Sequence, residues 1–175
     1  AETVLANLRD LAAARACPAG PTVAALCRGP TLIEWKFTMP IGIPRVTELA
    51  AAFEEHGDDV ARRYATRLRS LRPRELRGYL TGFADLIAEH QGRYWVIDWK
   101  SNHLGDRREA YDHAALTAAM EHHDYVLQYH LYVLAWHRHL RTRLQNYDYE
   151  AHFGGVCYAF LRGATPGQDQ GMFYD

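Results

Sequence analysis

Two aspartates and a lysine are the residues of this sequence best placed to do chemistry. Asp85 sits in Gly82-Phe83-Ala84-Asp85-Leu86, and Asp98 and Lys100 sit in Asp98-Trp99-Lys100-Ser101-Asn102. Phe83 and Leu86 bracket Asp85, while Val96 and Ile97 precede Asp98. A charge at the end of such an apolar run is costly to bury without a partner. On a strand, Asp98 and Lys100 are two apart and share a face. Carboxylates gathered on one face repel each other and call for a cation. A hard divalent ion such as Mg²⁺, held by one or two carboxylates with water and substrate phosphate, meets that need. Asp-x-Lys alone is equally the pattern of an ordinary surface ion pair, so the neighbourhood carries the reading.

The elements that must position these groups are two strand-like runs meeting at Gln91-Gly92, the pattern of a β-hairpin. Gly92 can supply the positive φ that a two-residue turn needs. With Gln91 and Gly92 at the turn, His90 faces Arg93, and the same pairing carried inward sets Asp85 directly opposite Asp98. Opposed residues point to one face with Cβ atoms about 5 Å apart. Lys100 joins them there.

The choice of cation is informative. Among 20 basic residues only Lys36 and Lys100 are lysines, and lysine offers a compact ammonium that arginine cannot replace. The net charge of −1 neither requires nor excludes a nucleic-acid partner. Cys17, Cys27 and Cys157 are too few and too scattered for a four-thiolate metal site, and an odd count argues against a disulfide framework. No apolar run is long enough for a membrane span, and no secretion signal is seen, which gives the expectation of a soluble cytoplasmic protein without a membrane partner.

Along the chain, Glu2 to Ala16 reads as a helix and Ala19 to Pro30 as a loop. Thr31 to Thr38 reads as a strand, terminated by the Pro40 to Pro44 stretch. Glu34 on it is either an accessory group at the active face or a solvated strand glutamate. Thr47 to Ser70 reads as helical, with Thr47 as N-cap, an apolar side of Leu49, Phe53, Val60, Tyr64 and Leu68, and a division near Gly57. Seven arginines lie between Arg62 and Arg77; they could track a phosphate backbone or form a solvated helix face.

After the hairpin, His103 to Asp106 is a connector, with Asp106 as N-cap for a helix to about His123. A second helix runs from about Asp124 to Leu144 and sets Tyr125, Gln128, Tyr129 and Tyr132 on one face. Core packing explains the tyrosines, but an amide in an apolar seam needs partners. Arg138, Arg141 and Arg143 could reach phosphates or simply favour the helix C-terminus. His122, His123, His130, His137 and His139 resemble a metal tract, yet no carboxylate accompanies them in a regular pattern. Gly154 to Leu161 is a further strand, followed by a Gly/Pro-rich tail without a capping element.

The two acidic motifs, followed by Leu127-Gln128-Tyr129-His130-Leu131-Tyr132, resemble in order and spacing the motif series of the RecB-type nucleases, a branch of the PD-(D/E)XK superfamily. The likeness extends from about Thr31 to Gly163 and includes Glu34 to Ile41 and Phe153 to Gly163. Three motifs in order are far more specific than one.

The resemblance implies an α/β, restriction-endonuclease-like fold: a mixed central sheet flanked by helices, with its hairpin presenting the site at one edge. The expected organisation is one domain, with an N-terminal helix and loop over 1–30, a nuclease core over 31–163 carrying a helical insertion at about 47–70, and a tail over 164–175. It further implies hydrolysis of DNA phosphodiester bonds, as exonuclease or endonuclease, leaving 5′-phosphate and 3′-hydroxyl ends. Asp85, Asp98 and the backbone carbonyl of Trp99 would hold Mg²⁺, with Mn²⁺ able to substitute. Lys100 would orient or deprotonate the attacking water, or stabilise developing charge. Gln128 and Tyr132, with Ser101 and Asn102, would hold DNA or support the site.

In this family the nuclease serves recombination and double-strand-break repair in the bacterial cytoplasm, as part of exodeoxyribonuclease V, beside a helicase region and RecC- and RecD-like subunits. The sequence has no G-x-x-x-x-G-K-[ST] phosphate loop, so ATP use would belong to other regions. It also departs from the family pattern, in which a histidine upstream of the first strand, in a Gly-x-x-x-His context, is a further metal ligand. No histidine lies between Ala1 and Thr31, and His56 is in the wrong context. The chain therefore reads as a piece of a longer protein or as a site lacking one ligand. The competing reading is a catalytically incomplete nuclease-fold module for DNA binding or partner docking. The presence of Asp85, Asp98 and Lys100 weighs against it, and the likeness after Gln128 weighs against a stand-alone junction resolvase.

Overall fold

The computed structural model describes residues 2–41, 46–71 and 78–175. From the N-terminus come α1 (Glu2–Ala13), α2 (Val23–Arg28), β1 (Thr31–Ile41), α3 (Val46–His56), α4 (Asp59–Ser70), β2 (Gly78–His90) and β3 (Arg93–Lys100). A 3-10 turn (Arg108–Tyr111), α5 (His113–His122), α6 (Tyr125–Arg143), α7 (Tyr149–His152), β4 (Phe153–Phe160) and β5 (Met172–Tyr174) follow.

Gln91 and Gly92 both have positive φ, 52° and 77°, the type I′ geometry whose twist matches that of the flanking strands. β2 and β3 pair from His90–Arg93 inward. The sheet order is β1-β2-β3-β4-β5, with β3 and β4 parallel and the other neighbours antiparallel. Parallel pairing needs a long crossover; here it runs through α5 and α6. This is the expected α/β fold with a mixed sheet. The hairpin, however, occupies the second and third positions, so the site lies over the middle of the sheet and not at its edge.

Alternation along the strands divides the interior in two. Val96, Val156, Tyr158 and Phe160 face the side covered by α3 to α6. Trp95, Ile97, Cys157 and Ala159 face α1 and α2. The central strands are thus apolar on both faces, as strands covered on both sides must be. No helix among the described residues is long and apolar enough to cross a membrane.

Several boundaries differ from the sequence reading for identifiable reasons. β1 runs on through Pro40 to Ile41, because on an edge strand the missing N–H of proline costs no ladder bond. The segment read as a loop contains α2, whose first turn is capped by Thr22 Oγ1 accepting from Ala25 N. Thr47 lies inside α3 and is not its cap. α3 and α4 divide at Gly57, as expected, and Asp58 caps α4 by accepting from Ala61 N at 2.7 Å. Asp112, not Asp106, caps α5. The tail forms β5, an added edge strand on β4.

Arg72, Arg74 and Arg77 of the arginine run lie outside the described residues. The other four are ion-paired: Arg62 with Asp59, Arg63 with Glu121, Arg67 with Asp124 and Arg69 with Glu54. Asp124 is the most connected of these partners. It adopts the left-handed region at φ 59°, and its carboxylate accepts from Tyr64 Oη at 2.7 Å and from Arg67 at 2.6 and 3.0 Å. The Arg67 guanidinium holds the Asp124 carboxyl below its ordinary value.

Asp124→Asn keeps a residue that tolerates positive φ while removing the charge. It is expected to cost about 1 kcal/mol in urea unfolding, small because the pair is over a third exposed and screened. A lowered carboxyl contributes fully above the unfolded value of about 3.9 and loses that contribution as pH falls through its folded value. Wild type and variant should therefore converge in acid.

Candidate active site

β3 delivers Asp98 and Lys100 to the face covered by α6, following Val96 in the alternation, and both are buried, with 2% and 8% exposure. Asp85 comes from β2. The last ladder pair is Leu86–Ile97, one step short of the register that would set Asp85 against Asp98. Asp85 Oδ2 instead accepts from Trp99 N at 2.9 Å. The cause is a phase change in the neighbouring ladder. Ile33–Leu86 and Trp35–Ala84 pair, while Glu34 and Asp85 between them do not, and Glu34 sits at φ 49°. Across this step the alternation inverts: Ala84 and Ile87 lie in the α6-side core, and Leu86 lies in the opposite one. Asp85 is freed from the ladder and turns toward the lysine-bearing strand.

The Lys100 ammonium forms an ion pair with Asp98 Oδ1 and donates to Gln128 Oε1 at 3.0 Å. Tyr158 Oη donates to the same oxygen at 2.9 Å. The amide that had no evident place in an apolar seam is thereby satisfied twice. Burial raises the Asp98 carboxyl above its ordinary value, and the nearby charge of Asp85 adds to this against the opposing effect of Lys100. Asp98 Oδ1 is buried, and its partner among the described residues is the Lys100 ammonium. Two carboxylates side by side, Asp98 and Asp85, offer the oxygen donors that a hard cation takes. Among the described residues no group of three His, Cys, Asp or Glu side chains gathers to hold a metal.

Tyr132 is buried, and its hydroxyl is held neutral to high pH by burial first and by the charges of Asp98 and Asp85. Its ring meets Phe37 edge-on at 5.8 Å. Phe37 in turn packs on Gly82, where an added Cβ would lie 2.5 Å from Cζ of the ring. The glycine of the first acidic motif is thus a packing requirement. Gly82→Ala should push Phe37 into Tyr132 and lower stability by about 1–2 kcal/mol; a denaturant series on the variant, with Phe37→Leu as a second-site relief, measures this.

Asn102 joins the site through Oδ1, which accepts from Tyr125 Oη at 3.3 Å. Ser101 is exposed, and its backbone oxygen accepts from Arg162 Nε at 3.4 Å. Glu34 is exposed on the edge strand. The α6-region histidines disperse. His130 lies against Val126 O, His137 against Tyr147 Oη and His139 against Trp136, while His122 and His123 are exposed. Arg138, Arg141 and Arg143 are exposed along the second half of α6. Sequence reasoning missed Tyr158. A strand tyrosine between Cys157 and Ala159 carries only a core signal, and its link to Gln128 exists only once β4 and α6 meet.

The profile of the PD-(D/E)XK nuclease superfamily matches residues 8–172. The RecBCD enzyme subunit RecB of Escherichia coli (strain K12) is 41% identical over 145 residues, covering 81% of this chain and 12% of the relative. RecB of Mycobacterium tuberculosis (strain ATCC 25618 / H37Rv) is 40% identical over 183 residues, covering 89% and 17%. RecB of Haemophilus influenzae is 41% identical over 106 residues, covering 61% and 9%. The chain thus spans under a fifth of the length of these relatives.

Proposed function

The chain belongs to the PD-(D/E)XK nuclease superfamily, and from that premise we propose that it is a Mg²⁺-dependent deoxyribonuclease whose reacting groups are Asp85, Asp98 and Lys100. The observation that carries this is the burial of Asp98 and Lys100 as a pair, with Asp85 beside them and Gln128 bonded to the ammonium. Asp85, Asp98 and the Trp99 carbonyl would hold the ion, or Mn²⁺ in its place, which when bound polarises the scissile phosphate and lowers the pKa of an attacking water.

The remaining work falls to the chain. Lys100 directs the water or offsets charge developing on the phosphate, a role that needs its ammonium fixed in place. Gln128 fixes it by accepting one of its N–H bonds. The neutral Tyr132 hydroxyl can donate to a phosphate oxygen. Departure of the 3′ oxygen leaves a 5′-phosphate and a 3′-hydroxyl. Little base reading is expected, since phosphate contacts carry no sequence information. By likeness to RecB, the chain would serve recombination and double-strand-break repair in a bacterial cytoplasm, with DNA and RecC- and RecD-like subunits as partners, exonuclease and endonuclease action both falling within that role.

A second reading, a catalytically incomplete module for DNA binding or docking, is favoured by one observation: no third metal-ligating side chain joins the carboxylates among the described residues. Calorimetric titration of Mg²⁺ and Mn²⁺, followed by cleavage of linear single-stranded DNA, separates the two. Saturable binding with cleavage, both lost in Asp85→Asn, supports the nuclease. DNA binding without metal uptake or cleavage supports the module.

A further inference from the structure

The Lys100 ammonium has neighbours beyond Asp98 and Gln128. Its Nζ lies 3.8 Å from the centroid of the Tyr125 ring and 4.8 Å from that of Tyr158, both within the range of about 6 Å in which a cation is attracted to an aromatic face. We propose that Tyr125 and Tyr158 are positioning residues for Lys100, their ring faces forming with Gln128 a three-sided seat that fixes the ammonium relative to the two carboxylates. This rests on the nuclease reading for its purpose but not for its geometry.

An ammonium offers three donors and no acceptor. Asp98 and Gln128 engage two, leaving the Tyr125 ring as the nearest described partner for the third. The seat is braced from outside. Tyr158 Oη donates to Gln128 Oε1, so the ring and the amide that hold the ammonium also hold each other. Tyr125 Oη donates to Asn102 Oδ1, tying its ring to the loop that follows Lys100. The two rings pack together at 5.8 Å.

Such a seat answers a specific difficulty. Lysine carries its charge on a flexible four-carbon stem, and the ion pair with Asp98 weakens whenever that carboxylate is shared with another cation. The rings and the amide carry no charge for that cation to claim, so they retain the ammonium when Asp98 is engaged. Tyr158 is fully buried and its removal would disturb the core. Tyr125 is only partly buried, at the first turn of α6, and can be changed without that damage.

The chain's two lysines make a direct test possible. With lysine labelled by ¹³C at Cε, NMR should show two methylene signals, assigned by Lys36→Arg. The Lys100 signal should lie upfield of the position of lysine in the unfolded chain through the ring currents of Tyr125 and Tyr158, move toward that position in Tyr125→Leu, and stay upfield in Tyr125→Phe. A Lys100 signal at the unfolded-chain position, or one indifferent to Tyr125→Leu, would overturn the seat.

In DNA cleavage, Tyr125→Leu should lower kcat about tenfold with KM within about twofold, and Tyr125→Phe should recover most of the loss. A rise in KM alone, or Phe as poor as Leu, would overturn the positioning role. Absence of cleavage by the unmodified chain fails the nuclease reading and leaves the NMR result to decide the seat, so the two stand or fall separately.

Discussion

Asp98→Asn is expected to reduce DNA cleavage to about a thousandth of the original kcat, with the heat of Mg²⁺ binding lost alongside it. The magnitude follows from removing one of the two anionic donors proposed for the ion, since metal assistance is worth several kcal/mol and each 1.4 kcal/mol is about tenfold. A second, opposite effect separates loss of chemistry from loss of fold. Burial raises the Asp98 carboxyl above its ordinary value, so the folded chain binds its proton more tightly than the unfolded chain does. Stability from this source is greatest below the unfolded value of about 3.9 and declines as pH rises through the raised folded value. Asp98→Asn has no such proton to lose. Across that window its melting temperature should fall less with rising pH than that of wild type. An inactive variant whose stability tracks wild type at every pH would show that burial does not raise the Asp98 carboxyl.

Lys100→Met acts on the same pair from the other side, with two losses and one gain. Methionine matches the length of the stem and removes the charge, so kcat should drop by about a hundredfold or more as charge stabilisation is lost. The stranded Asp98 should destabilise the fold by about 3 kcal/mol, the usual consequence of leaving one member of a buried pair alone. Yet Mg²⁺ should bind the variant about tenfold more tightly, because the ammonium that repels it at Asp98 is gone. Added Mg²⁺ should then raise the melting temperature of the variant more than that of wild type, as ligand binding to the folded state requires. Thermal melts against Mg²⁺ concentration check this. Equal shifts in both proteins would mean that the ion does not meet Asp98.

The central hairpin was legible because its register is local. The Gln91-Gly92 turn sets His90 against Arg93, and the pairing then propagates without reference to the rest of the chain. It misled only at Asp85, where the inversion in β1 and β2 is decided by cores on opposite faces of the sheet. Gln128 announced itself as an amide among tyrosines on a helix face. Tyr158 could not, since its hydroxyl has a polar partner only across a tertiary contact. The short elements were hidden for a related reason. α2 has six residues and β5 three, too few to form without neighbours. Asp106 and Asp112 are equally good caps by composition, and Tyr111, whose hydroxyl donates to Asn102 O at 3.2 Å, holds the intervening turn.

The crossover between β3 and β4 has a kinetic consequence. Asp85, Asp98 and Lys100 lie on one hairpin, whose closure is fast and local. Gln128 and Tyr158 reach them only when a parallel strand pair with a long connection has closed, a slow step because loop entropy is lost before the contact forms. During refolding Asp98 and Lys100, on one strand, should therefore come together early, Asp85 should join once β1 is in place, and the groups that hold the ammonium should arrive last. A chain caught midway carries paired charges without their supports. Competence to cut would appear as a late, cooperative event, which confines cleavage to molecules that have finished folding.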